Sequence, residues 1–346
     1  PATGGPAAYV YQWQYGSTAV GSFINIAGAN AIQYTPSPGA TTTLYYRRMV
    51  TSGMCAPVYS NVIEIRVNPN PLAILSGGET ICPAQTSILK VNLMIGTGPF
   101  ELDIQNYGTI TGYISNSDIL VSPAATTTYR LLRVRDANNC EILSPSANLI
   151  GTATVTVRAL PAITVQPVSK ITCEYGMVAY SVTATGTDLT YQWYENQGSG
   201  FNPVADGGIY FGATASTLNL FGATRPMNGY IYHVVVSGCS TSVTSADATL
   251  TVNTAPEIVT QPKDSTICMN AGATFNVTAT GTNITYQWQV NRGAGFVNVV
   301  NDANFSGSNL NTLTIINAPG TFNNYIFRVI ISGTCGVPVY SNFAVL

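Results

Sequence analysis

The tripeptide Tyr-Gln-Trp occurs at Tyr11-Gln12-Trp13, Tyr191-Gln192-Trp193 and Tyr286-Gln287-Trp288, and the last two copies stand 95 residues apart. Gln166-Pro167 and Gln261-Pro262 recur at the same interval. A fixed interval of this length means a string of similar modules, each burying its own core, rather than one large globule. Prolines mark the joints at Asn68-Pro69-Asn70-Pro71, Ala159-Leu160-Pro161 and Thr254-Ala255-Pro256, each after an alternating run such as Ala248-Thr249-Leu250-Thr251-Val252. These signals divide the 346 residues into modules 1–68, 69–158, 159–253 and 254–346, at the upper end of the two to four domains expected of this length at roughly 100 to 200 residues each.

Within a module, short runs of period two alternate with clusters of Gly, Asn and Pro. Examples are Phe275-Asn276-Val277-Thr278-Ala279, Thr312-Leu313-Thr314-Ile315 and Tyr325-Ile326-Phe327-Arg328-Val329. No stretch carries a 3.6-residue stripe. About seven strands per repeat, with a Trp following the second, predict an all-β chain of tandem immunoglobulin-like β-sandwiches. Linkers of a few proline-bearing residues predict modules set end to end as an elongated rod. Strands of about 10 residues rise about 34 Å, so four in line would reach roughly 150 Å.

The seven cysteines fall one, two, two and two among the modules. Spacing suggests one bridge per complete module: Cys82 with Cys140, Cys173 with Cys239, and Cys268 with Cys335. Such bridges place the chain in an oxidising, extracytoplasmic compartment. Cys55 is left over. In the third and fourth modules the first cysteine lies 20 residues before the Trp, so the partner of Cys55 is expected ahead of residue 1. Tyr340-Ser341-Asn342 also matches Tyr59-Ser60-Asn61, with the strand that follows cut short, and we therefore expect an excerpt of a longer polypeptide. No Cys-x-x-Cys or Cys/His cluster suggests zinc.

In the familiar immunoglobulin pattern a core disulfide joins strands B and F. Here Val182 and Val277 stand at the first of those positions and Tyr232 and Phe327 at the second. The bridges are therefore expected to pin one pole of each sandwich. Trp13, Trp193 and Trp288 are expected in the cores, the last two against aliphatic neighbours, with Tyr230 and Tyr325 as tyrosine corners. These features, with Val121-Ser122-Pro123-Ala124-Ala125-Thr126-Thr127-Thr128-Tyr129 and Asp136-Ala137-Asn138-Asn139-Cys140, resemble the Ig-like and PKD-like repeats of giant Bacteroidota surface adhesins. The resemblance implies a stalk or filament on a protein exported by the type IX route, including adhesins of gliding motility. The second module departs from the pattern. It has no Tyr-Gln-Trp, and Phe100 or Leu102 is expected to plug its core.

Chemistry is sparse. Charged residues make up 8 % of the chain, with a net charge of −2, which leaves no basic stripe for nucleic acid. No apolar run spans a bilayer as a helix. His233 is the one histidine and is placed on an outward face. No nucleophile elbow, zinc-protease motif or phosphate loop occurs, and Asp206 and Asp302 lack calcium-loop spacing and read as turn caps. Catalytic, cofactor and metal residues are accordingly expected to be none. The 20 Tyr are assigned mainly to sheet packing, although one of Tyr45 and Tyr46 is expected to be exposed. Asp264-Ser265-Thr266 resembles an O-glycosylation acceptor of the same bacterial phylum and makes Ser265 the candidate. The sequons at Asn276, Asn283 and Asn304 carry no role. The expected function is a non-enzymatic structural segment at the bacterial cell surface. Its partners would be neighbouring repeats, surface glycans or other surface proteins, and the secretion machinery. The alternatives are a glycan- or protein-binding module, signalled by a planar trio of exposed rings, and an accessory region of a secreted hydrolase.

Overall fold

A computed structural model describes residues 8–37 and 39–346. The described residues form strands and two single-turn 3-10 helices, Arg225–Met227 and Gly320–Phe322, with no α-helix. The chain divides into two compact units, residues 1–158 and 159–346.

The first unit opens with one antiparallel sheet of Tyr9–Gly16, Ile24–Asn25, Leu44–Ser52, Val58–Tyr59 and Ile63–Ile65. Trp13 is only half-buried in it, against Tyr34 at 5.9 Å and beneath the Arg48 guanidinium. Tyr46 is buried and Tyr45 half-buried, so neither ring of that pair is presented in full. A sandwich follows. Its four-stranded sheet contains Leu72–Gly77 and Ser87–Ile95, and its six-stranded sheet contains Phe100–Ile104, Thr127–Arg135 and Thr152–Val157. Alternation dictates the core: Leu89 and Val91 point in while Ile88, Lys90 and Asn92 point out. In Thr127–Arg135 the inward set passes from Tyr129 and Leu131 to Val134, because a register shift between Leu131 and Arg133 flips the pleat. Phe100 and Leu102 are both buried, so the plug in place of the Trp is shared.

The second unit holds two sandwiches with separate cores. One is built on Trp193, Tyr180, Tyr232 and Leu250, the other on Trp288, Phe275, Phe327 and Phe305. Trp193 and Trp288 are fully buried, and each indole N–H is satisfied by a carbonyl, that of Ala215 or Leu310, at 2.9 Å. Their cores hold the aliphatic residues expected and, in addition, aromatic rings. Tyr180 and Tyr232 stack at 4.9 Å beside Trp193, and Phe275 and Phe327 stack at 4.9 Å beside Trp288. Val182 and Val277 are buried. The stacked rings supply core volume in sandwiches that carry no disulfide between strands B and F.

Candidate functional site, the disulfide joint within residues 159–346

Strand Lys170–Cys173 runs parallel to Ala248–Asn253, with Cys173 beside Asn253. The chain then passes through Thr254-Ala255-Pro256 into the next sandwich, and a backbone cradle fixes that passage. Thr254 N–H donates to Thr282 Oγ1 at 2.9 Å, and Thr282 N–H donates to the Thr254 carbonyl at 3.1 Å. The turn after strand Ile326–Ser332 closes over the same residues, Thr334 N–H donating to the Thr282 carbonyl at 3.0 Å. Close approach requires glycine. At Gly281, with φ +141°, a Cβ would lie 2.9 Å from Pro256 Cα, and at Gly336, with φ +74°, it would lie 2.8 Å from Ala255 Cβ. The turn thereby carries Cys335, 4 % exposed, to Cys173, and the two are disulfide-bonded with Cα atoms 5.8 Å apart.

This bond corrects the pairing suggested by spacing. Cys173 is joined to Cys335 of the following sandwich and not to Cys239, while Cys140 and Cys268 carry no disulfide. Cys82 and Cys239 are also disulfide-bonded, and neither has the partner expected from its own module. The reason is polar geometry. Cys173 sits level with Asn253, near the start of strand Ile231–Gly238, whereas Cys239 follows its end. Eight residues of strand rise about 26 Å, far beyond the roughly 7 Å that a disulfide spans between Cα atoms. Cys82 likewise follows Thr80–Ile81, paired with the end of Thr152–Val157, while Cys140 lies in the turn after Thr127–Arg135. Cys55 is exposed and unbonded.

The cradle recurs 95 residues earlier. Thr187 N–H donates to the Ala159 carbonyl, Ala159 N–H donates to Thr187 Oγ1, and a Cβ on Gly186 would press on Pro161 Cα at 3.0 Å. Sequence reasoning missed this device. Its trace is the repeated Thr-Ala-Thr-Gly-Thr at residues 183–187 and 278–282.

On the outer faces several rings are engaged by arginines. Arg328 lies 4.0 Å from the Phe296 ring and 4.6 Å from Tyr340, and its Nε donates to Gln289 at 2.9 Å. Arg47 repeats this between Phe23 and Tyr59, with Gln14 as acceptor. His233 occupies the corresponding place. It stacks on Phe201 at 3.9 Å, and its Nδ1 lies 3.3 Å from Asp247, so its side chain is only 14 % exposed and not open to solvent as expected. Asp206 and Asp302 cap turns, accepting from Ala213 N–H and from Asn304 and Phe305 N–H. Ser265 is half-buried, with its N–H donating to the Val345 carbonyl.

Arg133 binds Glu101, Asp103 and Glu141 on the outer face of the 72–157 sandwich. The guanidinium, and then Thr109, hold the Asp103 carboxyl below its ordinary range. A cleft of about 870 Å³ in that sandwich is lined by Gln105, Tyr107, Thr128 and Arg130, with no carboxylate, imidazole or thiol in its wall. Among the described residues no three His, Cys, Asp or Glu side chains converge as metal ligands.

A family model described as a domain of unknown function, DUF8696, matches residues 2–69. No curated protein matches the chain. Among solved structures, the I-band fragment I67-I69 of titin is similar at TM-score 0.53 and 13 % identity, covering 81 % of this chain and 98 % of that one. Its E-to-A variant gives the same values. Sidekick-1 immunoglobulin domains 1–4 align over 99 % of this chain and 91 % of theirs, at TM-score 0.40 and 14 % identity. The titin likeness shows the fold: the chain is a tandem array of immunoglobulin-like β-sandwiches.

Proposed function

We propose that this chain is a non-enzymatic, load-bearing segment of a large secreted adhesin, a stalk or filament of four modules at 1–68, 69–158, 159–253 and 254–346. The observation that carries this reading is the joint. One disulfide and a backbone cradle tie the sandwich ending at Asn253 to the next, which is where tension along a series of modules would act. The disulfides support an extracytoplasmic location. The sequence resemblance supports a bacterial surface, type IX export, and a role in adhesion or gliding. Partners on this reading are neighbouring repeats, other surface proteins and the export machinery. A glycan-binding role is weaker, because the Phe296, Tyr340, Phe23 and Tyr59 rings clasp arginines of their own sheets.

Single-molecule stretching of the full chain tests the reading. After reduction the modules should unfold one at a time under load, and the fully extended chain should be longer than the unreduced one by at least roughly 550 Å, since 162 residues separate Cys173 from Cys335. An unchanged length on reduction, or strong glycan-array binding by the isolated chain, would overturn it.

A further inference from the structure

The second unit contains one complete bridge between sandwiches, and the chain carries the two halves of another. Cys268 lies 95 residues after Cys173, and the backbone presents both in the same way. Gly176 N–H donates to the Cys173 carbonyl at 2.9 Å and Ala271 N–H to the Cys268 carbonyl at 3.0 Å. The next-but-one residues, Tyr175 and Asn270, both take a left-handed conformation, with φ of 65° and 64°. Their N–H groups donate to the matching carbonyls of Ala223 and Ala318. Cys173 and Cys268 are both exposed, yet Cys173 is bonded and Cys268 is not.

The cysteine that Cys173 takes sits in Ser332-Gly333-Thr334-Cys335, directly after a long strand, and Ser52-Gly53-Met54-Cys55 repeats that pattern after strand Leu44–Ser52. The likeness extends past the turn: Ser341 Oγ accepts from Val329 N–H and Ser60 Oγ accepts from Arg48 N–H, each at 2.9 Å. Cys55 is thus the thiol of a turn related in sequence to that of Cys335, with Ala56 where Cys335 is followed by Gly336, and it is exposed and unbonded.

We infer that Cys268 is a bridging thiol for the Ser-Gly-x-Cys turn of a further module of this kind, and that the Cys55 turn of a second copy of this chain can fill that place. Copies would then join head to tail through a Cys268–Cys55 disulfide equivalent to Cys173–Cys335. The chemistry balances with a disulfide oxidant such as oxidised glutathione. The Cys268 thiolate attacks the glutathione disulfide and expels one glutathione thiolate. The Cys55 thiolate then attacks the protein sulfur of the mixed disulfide and expels the second, so the oxidant leaves as two thiols and the two cysteines share the new S–S bond. This goes beyond the stalk reading, which survives if the bridge does not form.

The test is incubation of the concentrated full chain in oxidised glutathione, followed by non-reducing electrophoresis and peptide mapping. The expected result is a ladder of chain multiples, cleared by reductant, in which the Cys268 peptide is linked to the Cys55 peptide. Cys268→Ser and Cys55→Ser should each lose the ladder, and a mixture of the two variants should stop at the dimer. Both sites are exposed, so serine leaves the fold intact. The inference is overturned if Cys268 remains alkylatable, if the linkages are mainly Cys268–Cys268 or Cys55–Cys55, if Cys268 and Cys55 join within one chain, or if the mixed variants give no dimer.

Discussion

The side-chain amide of Gln287 donates to the carbonyl oxygen of Val299 at 3.0 Å while also donating to that of Trp288 at 2.9 Å, and so ties the Trp strand to the segment that follows it. Gln192 does the same to Val204 and Trp193, and Gln12 to Ile26 and Trp13. The middle residue of the tripeptide is therefore a clip. Gln287→Ala takes the side-chain donor from the Val299 carbonyl, while the Trp288 carbonyl keeps the Val299 N–H, and should cost about 1–3 kcal/mol. Chemical denaturation should show the loss, and Gln287→Glu should not restore stability, because a carboxylate has no N–H to give.

The two sandwiches of the second unit should differ in alkali. Glu195, Tyr210, Tyr232 and Tyr180 of the first correspond to Val290, Phe305, Phe327 and Phe275 of the second. Tyr210 donates to Glu195 at 2.5 Å and shares a hydrogen bond with Tyr232 at 3.0 Å. Burial, aided at Tyr210 by Glu195, pushes the Tyr180, Tyr210 and Tyr232 phenols well above their ordinary range. Their raised folded values mean that stability is intact below about pH 10 and falls as pH rises past it, by about 1.4 kcal/mol per pH unit per phenol, because the unfolded chain releases protons that the folded one keeps. Phenolate absorbance with hydrogen exchange should show residues 159–253 opening before 254–346. The variant Glu195→Val, Tyr210→Phe, Tyr232→Phe should reduce that difference.

Removing the bridge should uncouple neighbours. In the chain-entropy model a loop of 162 residues is worth at most about 5 kcal/mol. Cys335→Ser should lower the melting temperature by calorimetry and broaden or split the transition of the second unit. An unshifted trace would mean that the bond adds nothing to folding.

At Gly281 the joint has no room for a side chain. Gly281→Val would force a β-branched residue to φ +141° against Pro256 and Ile284. We expect a loss of about 2–4 kcal/mol centred on residues 254–346, against less than about 1 kcal/mol for valine at the exposed Thr280. Thermal melting of the two variants side by side checks this.

The all-β fold was legible because two-residue alternation and turn chemistry act locally, and the 95-residue interval pointed to a tandem array. The buried places of Trp193 and Trp288 followed from the same signal. The cysteine pairing did not, because an interval of 66 or 67 residues recurs equally whether each bridge closes within a sandwich or reaches into the next. Only the poles at which Cys173 and Cys335 emerge decide it. The stacked rings beside each Trp were hidden for a related reason: Tyr180 and Phe275 read as ordinary strand residues until their partners across the core are known. The Thr-Gly-Thr cradle left a repeated motif, but its meaning lay in contacts with a linker about 26 residues earlier in the chain.

The sulfur bond between Cys173 and Cys335 fastens the seam and leaves the interior of each bead to packing and hydrogen bonds. A bead of residues 159–253 or 254–346 that melts is thus caught on a short leash: its unravelled length cannot be released while Cys173 and Cys335 stay linked. Slack becomes a property set by the redox state of the surroundings, so a reducing medium would release the residues between Cys173 and Cys335 without breaking a single peptide bond.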